Sequence, residues 1–347
     1  MKKFIIIFYP LMLFAFLHAN GAIASVDSKR LCVFDLLGAN GPVFSQMKDY
    51  QIAALDWGVK FQLAPYINEQ LAAADFQTGQ CDAVSMTGVQ SRQFNAFSGS
   101  LDAIGALPDY AQLKSVVSAI SSEPAATLMI NGAYEVAGII PIGEVFLFVK
   151  NRSMLMLGDV SKLRIAVMES DLAQQEMVSA IGAIPVQLSI ANMYSQFNAH
   201  TVDVTYGPAI VYEAMELTKG LQPNGGVIRF PLAQSSLQIV IRRTDFPEGF
   251  GQKSRNYTLK QFDKAVKSAE NYQRRIAQRW WIAIPEQDKL QYSGMFRKVR
   301  LLLRNKQIYD RKMLKIMRRE RCKKDPLRQE CTAGGKQSLQ INFTGKP

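Results

Sequence analysis

One pattern appears twice in this chain, and it constrains the fold more than any other feature. Phe76 is followed six residues later by Asp82, and Phe197 is followed at the same distance by Asp203. In each copy a helix-like stretch precedes the aspartate and a short apolar run follows it. Two similar units about a domain apart predict two α/β lobes of like architecture. A cleft between two lobes is a favoured place for a small ligand.

The surroundings of both copies repeat the same order of elements. Pro42 is suited to begin a helix, Gly58 to end it, and Asn68 to cap the next one. Ser170 or Asp171 caps the corresponding helix of the second copy. The predicted strands cover residues 31–35, 59–63, 82–86, 163–168, 184–188 and 202–206. Strands that alternate with helices in this way predict a parallel sheet covered by helices.

The N-terminus has the features of a secretory signal peptide. Lys2 and Lys3 precede the apolar run 4–17, which is short for a membrane span, and Ala22 and Ala24 fit the small-x-small cleavage rule. We therefore predict that residues 1–24 are removed after Ala24. A bacterial periplasmic location is expected, without stable membrane insertion after cleavage.

The remaining chain divides into two predicted lobes. Residues 25–140 and 233–331 form the first lobe, which includes C-terminal helices, and residues 141–232 form the second. The chain crosses between the lobes near 138–149 and 227–241, so a hinge is expected there. Residues 332–347 are polar, and we predict a disordered tail.

Cysteine usage supports export. Four cysteines occur and none forms a Cys-x-x-Cys motif, which disfavours a zinc ribbon or a thioredoxin-like site. Cys322 and Cys331 bracket a short loop, and Cys32 and Cys81 lie on strands that can be neighbours. Oxidising conditions favour both disulfides over four reduced thiols, more firmly for the C-terminal pair.

The net charge of +12 is concentrated near the C-terminus. The segment 297–330 contains fourteen Lys and Arg against four Asp and Glu. Such a segment can attract nucleic acid, anionic lipid or an acidic partner, or it can be the solvated face of helices. Apolar residues interleaved with the charges favour the helical face, and export disfavours a nucleic-acid partner. An envelope interaction or sensory protein that docks through these basic helices is the alternative function.

The motifs of common catalytic centres do not occur. Outside the predicted signal the one histidine is His200, which lies in a turn, and no metalloprotease, P-loop or dinucleotide fingerprint is found. The turn around Gly38 and Gly41 can still present backbone N–H groups to an anionic or polar ligand group. We therefore predict a protein that is not an enzyme and uses no metal or cofactor.

Several runs resemble known proteins. The second lobe is similar to TRAP-transporter substrate-binding proteins in the runs 163–170, 180–186 and 202–203 and at Tyr194. The chain as a whole resembles a group of bacterial solute-binding proteins, in the runs 31–35, 79–83, 86–88, 92–95, 229–234 and 246–251. The resemblance implies a type II periplasmic-binding-protein fold. It also implies a periplasmic protein that captures a small polar or anionic molecule in an inter-lobe cleft for a membrane permease.

One departure from this family bears on the ligand. TRAP proteins that bind carboxylates usually place an arginine inside the second-lobe strand, where this chain has Ala166. Arg164 shares the face of Ala166 but lies nearer the start of the strand. Arg92, just past the third strand, is the candidate cation instead, with a surface arginine as the alternative.

Ligands of parallel α/β sheets bind beyond the C-terminal ends of the strands. This rule selects most of the candidate ligand-binding residues. Tyr194 is added from the family pattern, and Glu144 is added because it lies at the first crossing between the lobes. The candidate residues are Asp35, Asn40, Thr87, Gly88, Arg92, Glu144, Glu169, Ser170, Tyr194, Tyr206 and Gly207.

Overall fold

The computed structural model describes residues 27–153 and 160–332. This part of the chain has an α/β fold around one sheet of eleven strands. The strands are β1 (Asp27–Phe34), β2 (Val59–Tyr66), β3 (Ala83–Thr87), β4 (Ile130–Asn131), β5 (Tyr134–Val149), β6 (Arg164–Met168), β7 (Ile184–Leu188), β8 (Val204–Pro208), β9 (Gly226–Ile228), β10 (Ala233–Arg242) and β11 (Trp281–Ile282).

Helices cover both faces of the sheet. The α-helices are α1 (Pro42–Leu55), α2 (Glu69–Gln77), α3 (Gly88–Ser91), α4 (Ala96–Gly99), α5 (Tyr110–Ser121), α6 (Leu172–Ala180), α7 (Ile190–Asn198), α8 (Ile210–Ala214), α9 (Thr218–Leu221), α10 (Phe250–Lys260), α11 (Phe262–Arg275), α12 (Glu286–Asn305) and α13 (Arg311–Lys324). Short 3-10 segments occur at Gly38–Asn40, Glu123–Met129, Val160–Lys162, Arg243–Asp245 and Gln278–Trp280.

The sheet has two parallel halves joined by antiparallel strands. Its order is β2-β1-β3-β10-β5-β8-β6-β7. In one half β1 pairs in parallel with β2 and β3, and in the other β6 pairs in parallel with β7 and β8. Strand β5 pairs with β10 along most of its length and with β8 at its C-terminal end. The predicted pair of β-α-β-α-β units is confirmed, and β5 connects them.

The repeated Phe and Asp have the same structural roles in both halves. Phe76 and Phe197 are completely buried in the core. The Asp82 carboxylate accepts the backbone N–H of Arg30 at 2.6 Å, and the Asp203 carboxylate accepts that of Arg164 at 2.7 Å. Each aspartate therefore fastens the turn before the third strand of its unit to the first strand, which explains why the pattern recurs.

Helix caps follow the sequence expectations. The Asn68 side chain accepts the N–H of Leu71, which begins α2. Asp171 rather than Ser170 caps α6, because its carboxylate accepts the N–H of Ala173 at 3.0 Å. These bonds satisfy backbone donors that the first turn of a helix leaves without partners.

A short strand interrupts the C-terminal helices that the sequence predicts. Helix α11 ends at Arg275, and the apolar Trp281 and Ile282 form β11, which pairs in parallel with β9. Trp280 is buried in the core. Burial of these large side chains at the edge of the sheet outweighs continuation of the helix.

Both predicted disulfides are present, Cys32–Cys81 and Cys322–Cys331. Next to the second disulfide, the Glu330 carboxylate binds Arg321 at 2.6 Å and lies 3.6 Å from Arg300. Both arginines are buried, so part of the basic C-terminal segment is internal structure.

Two predictions fall on other parts of the chain. The signal peptide 1–24 and all but Thr332 of the predicted tail lie outside the described residues. None of the helices between residues 27 and 332 combines the length and the apolar character that crossing a membrane requires.

Candidate functional site

A cavity lies where the two halves of the sheet meet, at the C-terminal ends of β1, β3, β6 and β8. Its volume is about 910 Å³, which includes its open mouth. Both predicted lobes contribute to its wall. The lining residues are Phe34, Asp35, Leu36, Leu37, Pro42, Val43, Thr87, Val89, Ile142, Val145, Met168, Gln174, Ile190, Met193, Tyr194, Tyr206, Gly207, Pro208, Ile210, Val211, Ala214, Ser235 and Leu237.

Most of this wall is apolar. Met193 and Tyr194 of α7 are buried against one side of the cavity, and Leu237 of β10 lies in the wall of the other. No Lys, Arg or His is among the lining residues in the part of the chain that the structure describes. An apolar cavity with a few polar groups is the usual form of a small-molecule site.

The Asp35 carboxylate, although at the cavity, is already fully engaged. Its oxygens accept the backbone N–H groups of Leu37 at 2.9 Å, Val43 at 2.8 Å and Phe44 at 3.0 Å. Asp35 therefore occupies the N-terminus of α1, where a helix can bind an anion. The Asp35 carboxylate packs directly against Gly41, because a Cβ added at Gly41 would lie 1.9 Å from Asp35 Oδ1.

Thr87 lines the cavity, and the neighbouring Gly88 permits close packing behind it. The Thr87 backbone N–H donates to the buried Glu69 carboxylate at 2.5 Å, and its hydroxyl accepts the N–H of Gln90. Burial raises the pKa of Glu69 to about 7, against the lowering effect of the Thr87 hydrogen bonds. A Cβ at Gly88 would lie 2.5 Å from Asp102 Oδ2, so this position needs glycine.

Arg92 lies in an adjoining depression rather than in the main wall. Its Nη1 donates to Asp171 at 2.9 Å, and its guanidinium carbon is 5.1 Å from the centre of the Tyr309 ring. Burial alone would lower the pKa of Arg92, but Asp171 and Tyr309 together raise it above its ordinary value. The permanent positive charge is thus matched by a carboxylate of the protein.

Asp102 is a second buried carboxyl group of this depression. It accepts the backbone N–H of Ser236 at 3.0 Å and its hydroxyl at 2.7 Å. Burial raises the pKa of Asp102 to about 7, against the lowering effects of Ser236 and Arg92. The carboxyl group therefore titrates near neutral pH.

Two tyrosines contribute polar atoms to the cavity. The Tyr206 hydroxyl donates to the Gln174 side-chain oxygen, which also accepts the N–H of Met168. Burial raises the pKa of both Tyr206 and Tyr194, so both are neutral phenols. Gly207 lies beside Tyr194, because a Cβ there would be 2.9 Å from its hydroxyl.

Other candidate residues lie elsewhere. Asn40, Glu169 and Ser170 are exposed and do not line the cavity. Glu144 lines a separate depression near Tyr110, whose hydroxyl binds its backbone N–H at 3.1 Å. Burial raises the pKa of Glu144 to about 7, with Asp109 and Glu270 adding to the effect against the Gln234 hydrogen bond. The structure therefore brings together Asp35, Thr87, Tyr194, Tyr206 and Gly207, with Gly88 and Arg92 adjacent.

The second-lobe strand presents no cation to the cavity. Ala166 is fully buried in β6, and the Arg164 guanidinium lies 3.3 Å from Asp203 at the start of the strand. Sequence reasoning missed the apolar wall, above all Ile190, Met193, Ile210 and Val211. Their helical spacing is also that of ordinary core residues, so the sequence held no signal that separates the two roles.

Comparison with solved structures defines the class of this fold. A TRAP periplasmic solute-binding protein from Haemophilus influenzae with bound L-gulonate is similar, with a TM-score of 0.70 and 11% identity over 85% of this chain and 99% of that one. Another from Sulfitobacter with bound β-D-galacturonate has a TM-score of 0.69 and 12% identity over 84% of this chain and 100% of that one. The fold is that of TRAP periplasmic solute-binding proteins.

The family follows from the sequence. A family model described as "Solute-binding protein AdeT 1/2" matches residues 52–335. The Acinetobacter baumannii protein named "Probable solute-binding protein AdeT1" is 37% identical over 299 residues, which are 86% of this chain and 98% of the relative. The chain therefore belongs to the AdeT 1/2 family of solute-binding proteins.

Proposed function

We propose that this protein is a periplasmic receptor that holds a small molecule in the cavity between its lobes and delivers it to a membrane permease. The observation that carries the proposal is the cavity itself, whose wall comes from both lobes and whose volume suits a small ligand. Family membership supports the solute-binding role, and similar structures hold sugar acids in the same fold.

The mechanism is closure of two lobes around the ligand. The lobes are residues 25–140 with 233–331 and residues 141–232, and the hinge lies in the crossings within β5 and near β9 and β10. The Arg92–Asp171 ion pair connects the lobes and belongs to the closed state. A ligand shifts the equilibrium toward closure only by its differential affinity for the two states.

The proposal includes export and a binding rather than catalytic role. Cleavage after Ala24 releases the chain into the periplasm, where both disulfides can form. The mostly apolar cavity wall suits retention of a molecule rather than acid–base or nucleophilic chemistry. N-terminal sequencing of protein from the periplasmic fraction tests export, and a retained Met1 contradicts it.

A thermal-shift screen of the mature protein against a metabolite collection tests the function. One ligand class is expected to raise the unfolding midpoint, because a ligand at about 100 times its Kd stabilises a protein by about 2.7 kcal/mol. The variant Ala214→Trp, which fills the cavity, should abolish that shift. No shift with any compound, together with capture of an envelope protein by the basic C-terminal helices, contradicts the proposal.

A further inference from the structure

We infer that the cavity takes an uncharged and largely apolar small molecule. This inference rests on the proposed function and concerns the chemistry of the same site. The first observation is the wall, in which aliphatic and aromatic side chains predominate and no described residue carries a positive charge. Burial of apolar ligand surface against such a wall is favourable.

The second observation is that carboxylates of the protein occupy two positions, at the cavity and beside it, that would otherwise suit an anionic group. Asp35 fills the N-terminus of α1 and accepts three backbone N–H groups. Asp171 binds Arg92, which lines the adjoining depression that shares Gln174 and Tyr206 with the cavity. At either position a ligand carboxylate would have to displace a buried partner.

The charged groups at and beside the cavity therefore disfavour binding of an anionic ligand. A carboxylate that enters the cavity loses its hydration, and an apolar wall returns no ionic partner. The ligand carboxylate would also lie near the carboxyl group of Asp35, which is buried in the same wall. An uncharged ligand avoids both costs.

The remaining polar atoms suit a ligand with one or two acceptor or donor groups. Among the described residues the Tyr194 hydroxyl has no hydrogen-bond partner, and it lies beside Gly207 at the cavity wall. A phenol can donate to one ligand oxygen or nitrogen, which gives orientation without a requirement for charge.

Titration with N-phenyl-1-naphthylamine, an uncharged probe that fluoresces in apolar surroundings, tests this inference on the mature protein. Saturable one-site binding is expected, with affinity reduced at least tenfold by Ala214→Trp and by Val89→Trp, which fill the cavity from opposite lobes. Ala125→Trp is the matched control, because Ala125 is also partly exposed but does not line the cavity. β-D-Galacturonate and succinate should neither displace the probe nor raise the unfolding midpoint.

Each other result overturns a defined part of the account. Saturable binding of galacturonate or succinate that Ala214→Trp abolishes overturns the uncharged ligand class and leaves the solute-binding function in place. Probe affinity that is unchanged in both cavity variants overturns the site. Absence of binding by the probe and by every compound of the metabolite collection overturns the proposed function together with this inference.

Discussion

Arg92 Nη1 lies 2.9 Å from Asp171 Oδ1, and this ion pair joins the segment after β3 to the N-terminus of α6. Both side chains are largely removed from solvent, with 12% and 4% of their surfaces exposed. The arginine that the sequence singles out as a candidate ligand partner thus binds a carboxylate that follows β6, in the other parallel half of the structure. A contact between the two halves of the structure is the role that this geometry supports.

Arg92→Ala is expected to lower the free energy of unfolding by about 3–5 kcal/mol, because it leaves the buried Asp171 without its partner. The double variant Arg92→Met with Asp171→Asn should regain most of this loss, since no uncompensated charge remains. Urea denaturation measures both. Arg275→Ala is the control, because the exposed Arg275–Glu213 pair should contribute less than about 1 kcal/mol. Equal effects of the two alanine variants would contradict the account.

Gly41→Ala should destabilise the protein by about 1–3 kcal/mol, because its Cβ would lie 1.9 Å from Asp35 Oδ1 and force the carboxylate off the helix N-terminus. The backbone of Gly41 has φ −83°, so the effect is steric. Gly294→Ala in α12 is the control, since its Cβ meets no described atom within 4 Å and should stabilise by about 0.5–1 kcal/mol. A neutral Gly41→Ala would show that Asp35 is not held as described.

Glu69 predicts a pH dependence of stability. Its pKa of about 7 lies above the ordinary 4.5, so between these values the folded state keeps a proton that the unfolded state releases. The contribution of this group to stability therefore falls as pH rises from about 4.5 to 7. In the Glu69→Gln variant, the free energy of unfolding should fall less steeply over this pH range, by up to about 1.4 kcal/mol per pH unit.

Urea denaturation at a series of pH values measures that difference. The exposed Glu123→Gln is the control and should leave the pH profile unchanged. Parallel profiles for the wild type and Glu69→Gln would refute the assignment of this titration to Glu69.

The C-terminal disulfide should stabilise the packing of Glu330 on Arg321. Closing a loop between residues nine apart contributes roughly 2–3 kcal/mol, so Cys322→Ser with Cys331→Ser should lose about this amount. Peptide mapping without reductant checks the bond, and free thiols at both positions would disprove it.

Glu330 adds a separate dependence on pH. Burial would raise the pKa of Glu330, but Arg321 and Arg300 lower it to about 2, so the stabilisation that the Glu330 carboxylate contributes is lost as pH falls from 4.5 toward 2.

The sequence predicted the parallel units well because local signals agree with the fold. Asn68 and Asp171 cap helices, and Asp82 and Asp203 bind the backbone of neighbouring strands, so each lies where its chemistry is needed locally. Such short-range requirements leave a recognisable spacing in the chain.

The cavity and its polar contacts could be predicted only in part, because they depend on pairs of residues that are distant in sequence. The structure places Asp35 at the cavity and Arg92 in the adjoining depression, but their partners decide whether a ligand can reach their charges. Asp171, whose carboxylate pairs with Arg92, is 79 residues away in the sequence, and no local sequence pattern predicts the pair. Likewise, the apolar wall uses residues whose spacing is that of any buried helix.

The most direct test of ligand binding between the two cavity walls is a crystal structure of the mature protein with the ligand that the thermal-shift screen identifies. Electron density for one molecule is expected between Tyr194 and Leu237, in contact with both walls of the cavity. Ligand density outside this cavity, or an empty cavity at saturating ligand, would contradict this expectation.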